Sequence, residues 1–289
     1  MSTRFNAVKL SGIALATSLL VACATSSAPS AEAIAKSDTL VVLTQKMELL
    51  TIKSAQPDKV LVRAAVTGLP AGETLVGMDF RISKGVLYAV SSAGRLYTLE
   101  LTSGALRPVG TSAGAALQGT AFGVDFNPVA DRVRVVSNTG QNLRLHPDTG
   151  ALAATDPVVS YEPTDAQANQ KPELVGAAYT YNKKDPKLTT NYAIDRKSGT
   201  LVTQGSAEGV QPVVSPNTGL LRTVGSLGTG PLLDAAFDIA DVSDIAFTAV
   251  RTASQPSTQL YTVNLITGRA TRVGTLADGA AVLGMAVEP

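Results

Sequence analysis

Three aspartates stand at equivalent places in a recurring pattern: Asp79 in GMDF, Asp125 in GVDF and Asp238 in AFDI. Carboxylates brought together repel one another unless a hard cation such as Ca²⁺ sits among them or a proton is shared. Ca²⁺ is therefore the candidate cofactor, with Asp79, Asp125 and Asp238 as its ligands. The competing reading is structural, with each Asp bonding backbone amides of its own repeat. A second set, Arg134, Asn138, Gln141, Asn142 and Arg144, lies within one short stretch. Guanidinium groups flanked by amides suit bidentate recognition of carboxylate or phosphate. Against that stands a plain solvated face in which Arg134 pairs with Asp131.

Other chemistry is poorly supported. His146 is the only histidine, which disfavours histidine-rich metal sites and a Ser-His-Asp triad, and its position before Pro147 and Asp148 predicts a turn. Residues 110–114 match G-x-S-x-G, but they follow a predicted strand and enter a Gly/Ala loop, whereas the nucleophile motif needs a strand-to-helix elbow. Residues 225–230 are Gly-rich and lack the P-loop lysine.

Whether either set converges depends on the elements that carry it. Residues 77–106 and 123–152 align without a gap at an offset of 46, with 10 of 30 positions identical. Each copy divides into a short opener, two alternating runs and a closing run separated by Gly-bearing turns. Four strands in about 46 residues is the size of one propeller blade. Looser copies begin near Gly176 and Ala236, where NTGLLRTVG and RATRVG echo the closing run ALRPVG. Residues 40–66 hold three strands without an opener, and the C-terminal GMAV is an opener without strands after it. Joined, the ends make a fifth blade. The expectation is an all-β, five-bladed β-propeller of four-stranded blades, closed by N- and C-terminal strands that share one blade. Six blades, with strands hidden in 205–235, or an open solenoid are the alternatives. First strands lie nearest a propeller's axis, so the three aspartates would converge there. The longest connecting segments, 161–172, 205–217 and 251–257, are where recognition loops would sit, and the first could overhang a mouth of the channel.

The stretch GVDFNPVADRVRVVSNTGQNLRLHPDTGALAATD resembles the signature of a bacterial exported-protein family, domain of unknown function 4394 (DUF4394). The likeness covers most of residues 75–287, with His146 where a smaller polar residue such as Asn would be expected. It implies an exported bacterial protein and brings no activity.

Lys plus Arg (24) nearly balances Asp plus Glu (23), so the fold carries no electrostatic footprint for nucleic acid. The single Cys excludes a disulfide framework and Cys-based zinc sites. Arg4 and Lys9 precede an apolar run that is too short to span a bilayer and fits a signal peptide. It ends in Leu20-Val21-Ala22-Cys23, which resembles the bacterial lipobox, and Ala24 favours sorting to the outer membrane. The expected organisation is a lipoprotein signal peptide over 1–22, a flexible tether over 23–38 that begins with acylated Cys23, and a propeller over 39–289. The expected role is a lipid-anchored envelope module that binds or scaffolds a protein or small molecule through its loops. The alternative is a cation-dependent, lactonase-like hydrolase with an axial carboxylate site. A purely structural envelope component would show no pocket.

Overall fold

The computed structural model describes residues 1–2 and 37–289. The signal peptide, Cys23 and most of the tether lie outside the described residues. Strand formation follows the repeat. Val, Leu, Tyr and Thr alternate in short runs, and glycines at positive φ, such as Gly94 (69°) and Gly140 (93°), make the tight turns between them. Blade 1 holds β1 (Thr39–Thr44), β2 (Glu48–Lys53) and β3 (Gln56–Ala65), and blade 2 holds β4 (Leu75–Arg81), β5 (Val86–Ser91), β6 (Leu96–Leu99) and β7 (Leu106–Pro108). Blade 3 is β8 (Phe122–Asn127), β9 (Arg132–Ser137), β10 (Asn142–Leu145) and β11 (Leu152–Thr155). A short β12 (Ser160–Tyr161) precedes blade 4, which is β13 (Leu174–Tyr179), β14 (Asn191–Asp195), β15 (Thr200–Gln204) and β16 (Leu220–Ser226). Blade 5 is β17 (Asp234–Ile239), β18 (Ala246–Arg251), β19 (Gln259–Val263) and β20 (Ala270–Thr275), and the chain ends in β21 (Val282–Val287).

The protein is a five-bladed β-propeller. β21 pairs antiparallel with β1, from Leu40 opposite Val287 to Thr44 opposite Val282, so the C-terminal strand is the innermost strand of blade 1. Residues 205–235 add only a 3₁₀ turn (Pro216–Thr218), the expected β16 and the start of β17, which leaves no sixth blade. β12 pairs parallel with the outer strand β16, and Asp165 accepts hydrogen bonds from Thr223 N–H (2.6 Å) and Oγ1 (2.8 Å). Segment 161–172 thus lies along the outer edge of blade 4 and does not overhang the channel.

Burial is divided among the seams. Five apolar clusters each join one pair of neighbouring blades, and those at four seams contain 11 to 13 buried residues. The seam between blades 3 and 4 has only 8, among them Val136, Leu174 and Leu221.

The inner strands β4, β8, β13, β17 and β21 meet around the axis, and small residues set how closely. An added Cβ at Gly77 would lie 2.5 Å from Val124 Cγ2, and one at Gly123 would lie 2.6 Å from the backbone nitrogen of Ala177. Side chains there would push the blades apart. Gly123→Ala, whose clash is with backbone, is expected to destabilise the propeller by about 1–3 kcal/mol. Thermal unfolding should record a melting temperature several degrees lower, and an unchanged value would show that the collar can relax.

Candidate functional site

The axis has three levels. The inner strands begin around an open funnel, narrow at the glycine collar and end around the three aspartates. The funnel has a volume of about 630 Å³. Its floor is apolar, from Leu75, Phe122, Val175 and Leu283, and its rim is polar, from Gln45, Thr120, Arg196 and Arg251. Both rim arginines are held by acids beside the inner strands: Arg251 Nε donates to Asp234 Oδ2 (2.9 Å), and Arg196 Nε donates to Glu173 Oε2 (2.7 Å). This size and mixture are those of small-molecule sites. The rim residues come from strand ends and turns whose members differ from blade to blade, so the repeat gave no signal for them.

At the far end the sequence-predicted aspartates do meet. Asp79, Asp125 and Asp238 are buried, and one carboxylate oxygen from each lies within 4.8 Å of the others. Each reaches across to the next inner strand. Phe126 N–H donates to Asp79 Oδ2 (2.8 Å), Tyr179 N–H to Asp125 Oδ2 (2.6 Å) and Val287 N–H to Asp238 Oδ2 (2.6 Å). Asp238 Oδ1 also accepts from its own Ile239 N–H (2.7 Å). The braces therefore run between blades rather than within one. Ala178 and Ala286 fill the equivalent positions in blades 4 and 1 and cannot take part.

Burial raises the pKa of all three acids. Mutual repulsion adds to the rise at Asp125 and Asp238, and Asp125 and Asp79 share a hydrogen bond. Asp241, at the edge of the cluster, is pushed up to about 7 by burial and by Asp79. The space among these groups is only about 10 Å³, about the minimum for a single water. Ca²⁺ takes six to eight oxygens. Three carboxylates already engaged by amides, with room for about one water among them, fit a shared proton better than a fully hydrated cation. A catalytic metal would also need an open coordination position.

The blade 3 residues separate into two groups. Asn138 and Gln141 secure the loop before β8. Asn138 Oδ1 accepts from Thr120 N–H (2.9 Å), and Gln141 accepts from Gln118 N–H (2.8 Å) and donates to Ala116 O (2.8 Å). Arg134, Asn142 and Arg144 enter the seam with blade 4, where Arg134 is 1 % exposed. Its partner is Asp156 (3.0 Å), not Asp131, which is held by Arg81 of blade 2. Asn142 (2.5 Å), Tyr179 Oη (2.7 Å) and Asn217 (2.5 Å) complete its shell, and Arg144 binds Asp156 through two nitrogens at 2.8 Å. Asp156 was the missed member. Its signal was the excess of arginine over acid on β9 and β10. His146 lies half-buried in its turn, where Nδ1 accepts from Asp148 N–H (3.2 Å), and 110–114 is loop.

A family model described as Domain of unknown function (DUF4394) matches residues 48–286. The chain belongs to that family. No curated protein matches it. Among solved structures it is similar to a structural genomics protein of unknown function from Bacteroides thetaiotaomicron, at 13% identity and TM-score 0.49, covering 85% of this chain and 62% of that one. It is also similar to a Myxococcus xanthus glutaminyl cyclase, at 13% identity and TM-score 0.44, covering 75% and 83% of the two chains. A third likeness is to dihydro-heme d1 dehydrogenase NirN, at 13% identity and TM-score 0.35, over 82% of this chain and 54% of that one. The DUF4394 chain thus spans less than two thirds of the first and third of these structures.

The raised carboxylate values have a definite sign. The folded ring keeps protons that an unfolded chain releases above the ordinary value of 3.8. The stability this contributes is complete below that pH and is lost as pH rises through the folded values. Asp125→Asn preserves an acceptor for Tyr179 N–H and replaces the shared proton with an amide donor. Its stability relative to the wild type should therefore increase from pH 4 to pH 8 in denaturant titrations. Asp125→Ala should cost about 1–3 kcal/mol at both, because it orphans a buried amide. An Asn variant that falls to the Ala level at neutral pH would contradict the shared proton.

Proposed function

We propose that this DUF4394 protein is a lipid-anchored module of the bacterial outer membrane that binds a small amphipathic molecule in its axial funnel. The observation that carries the reading is the funnel itself: about 630 Å³, apolar at the floor and ringed by Arg196, Arg251 and Gln45. A purely structural component would have no use for such a cavity. The hydrolase alternative loses support because the converged carboxylates leave only about 10 Å³ between them.

Support for the anchor comes from the sequence, where the sole Cys stands at the lipobox position. Among the described residues, no helix is long and apolar enough to cross a membrane. The chain enters the propeller beside the aspartate end, where Ser243 Oγ donates to Asp38 Oδ2 (3.1 Å). A tether leaving from there places the funnel on the face opposite the anchor, open to diffusing ligands.

Two measurements test the two halves of the reading. Expressed in a Gram-negative host, the full-length chain should fractionate with the outer membrane, and Cys23→Ser should abolish that outer-membrane fraction. Outer-membrane association that survives Cys23→Ser would remove the anchor from the proposal. For the funnel, anilinonaphthalene sulfonate combines an apolar body with an anionic edge. It should bind at one site, and Thr120→Trp, which places an indole at the exposed rim, should weaken it about ten-fold or more without changing the melting temperature. Equal binding by both chains would empty the funnel of this role.

A further inference from the structure

The seam between blades 3 and 4 holds a second cavity, of about 210 Å³, at the aspartate end of the propeller. Arg132, Arg134 and Arg144 all line it, together with Tyr179 and the turn that carries Asn217. Among the described residues, three guanidinium groups thus face one carboxylate partner, Asp156, which bridges Arg134 and Arg144. The acid nearest in sequence, Asp131, is committed to Arg81. Arg132 finds only main-chain carbonyls, those of Asp131 (2.7 Å) and Ala130 (3.4 Å), both through Nη1. Its Nε and Nη2, and Nη1 of Arg144, have no hydrogen-bond partner among the described residues. The pocket is positively charged by about two in a chain whose formal net charge is only +1.

This charge is built in. At the positions of Arg134, Asn142 and Arg144, blade 2 has Tyr88, Leu96 and Thr98. There Tyr88 packs edge-on against Phe126, with ring centroids 5.2 Å apart, and closes the seam with apolar contact. In the seam of blades 3 and 4 the chain gives up that contact and buries a charge instead, which is expensive for stability alone. Nearby polar groups also lack partners. Asn191, 2 % exposed and opposite Tyr179 in the ladder, has neither its amide nitrogen nor its oxygen hydrogen-bonded. Gln204 Oε1 is also unpaired, while its Nε2 donates to Asn142 Oδ1 (3.2 Å) and Pro216 O (2.7 Å).

We propose that this seam cavity is a binding site for a compact oxyanion, a phosphate or carboxylate group. Arg134 acts as a fixed buried charge, since its shell of Asp156, Asn142, Tyr179 and Asn217 leaves little freedom. Arg132 and Arg144 supply the free N–H groups that grip the anion, in the forked geometry guanidinium offers to oxyanions. The site is separate from the funnel and does not depend on the reading given for it.

The test is calorimetric titration of the full-length chain at low ionic strength with inorganic phosphate and, separately, with succinate. Saturable one-to-one binding of either is expected, weakening as salt is added. Arg132→Gln removes a partly exposed side chain with no carboxylate partner, so it should leave the melting temperature unchanged and weaken binding about ten-fold or more. Arg144→Gln should weaken it similarly. The tighter of the two anions assigns the class as phosphate or carboxylate. Absence of saturable binding for both, or binding that Arg132→Gln leaves intact, overturns the proposal.

Discussion

A propeller's innermost strands each present one unpaired edge to the axis, and the amides on those edges must find acceptors in a space with almost no water. In this protein three aspartates supply them. Because Asp79, Asp125 and Asp238 each bond the following inner strand, the same hydrogen bonds that satisfy the backbone also couple blade 2 to 3, 3 to 4 and 5 to 1. The glycine collar makes this geometry accessible, since Gly77 and Gly123 let the strands approach closely enough for a short side chain to cross. Burial and repulsion then keep protons on the ring. The cluster has the composition of a metal site, and its hydrogen bonds join three pairs of blades.

The seam cavity follows from where the ring departs from its own repeat. Four seams are sealed by apolar side chains, and the fifth, between blades 3 and 4, exchanges part of that seal for Arg134, Asn142, Asp156 and Tyr179. Tyr179 links the two regimes. Its backbone N–H is held by Asp125 in the axial ring, and its hydroxyl accepts from Arg134 in the seam. One residue thus contacts both the axial ring and the seam.

The architecture was legible because it is periodic. The offset of 46 that aligns Gly77 with Gly123 and Asp79 with Asp125 is the signature of a blade, and the unmatched ends complement each other. The convergence of the three aspartates followed from topology alone. Contacts that cross seams were hidden, because periodicity specifies what each blade is and not which groups of two neighbours meet. Thus the nearby Asp131 suggested itself as partner for Arg134, while the true partner, Asp156, lies 22 residues away beyond β10. The funnel rim was hidden for the same reason: Arg196 and Arg251 become neighbours only when blades 4 and 5 stand side by side. Asn138 and Gln141 showed the opposite limit, since amides that suggested a ligand are consumed by the protein's own loop.

The closing blade depends on the least local strand pairing among the described residues. β1 and its inner partner β21 lie far apart in sequence, and the pairing of Leu40 with Val287 spans nearly the whole propeller. Blades 2 to 5 can each assemble from contiguous chain, whereas blade 1 must wait as a three-stranded sheet with its apolar edge exposed. Such non-local pairing is slow to form and leaves strand edges open to wrong partners meanwhile. Pairing of β21 with β1 is therefore the event that turns a curved array of sheets into a closed ring. Until then, the Asp238 brace to Val287 has nothing to hold.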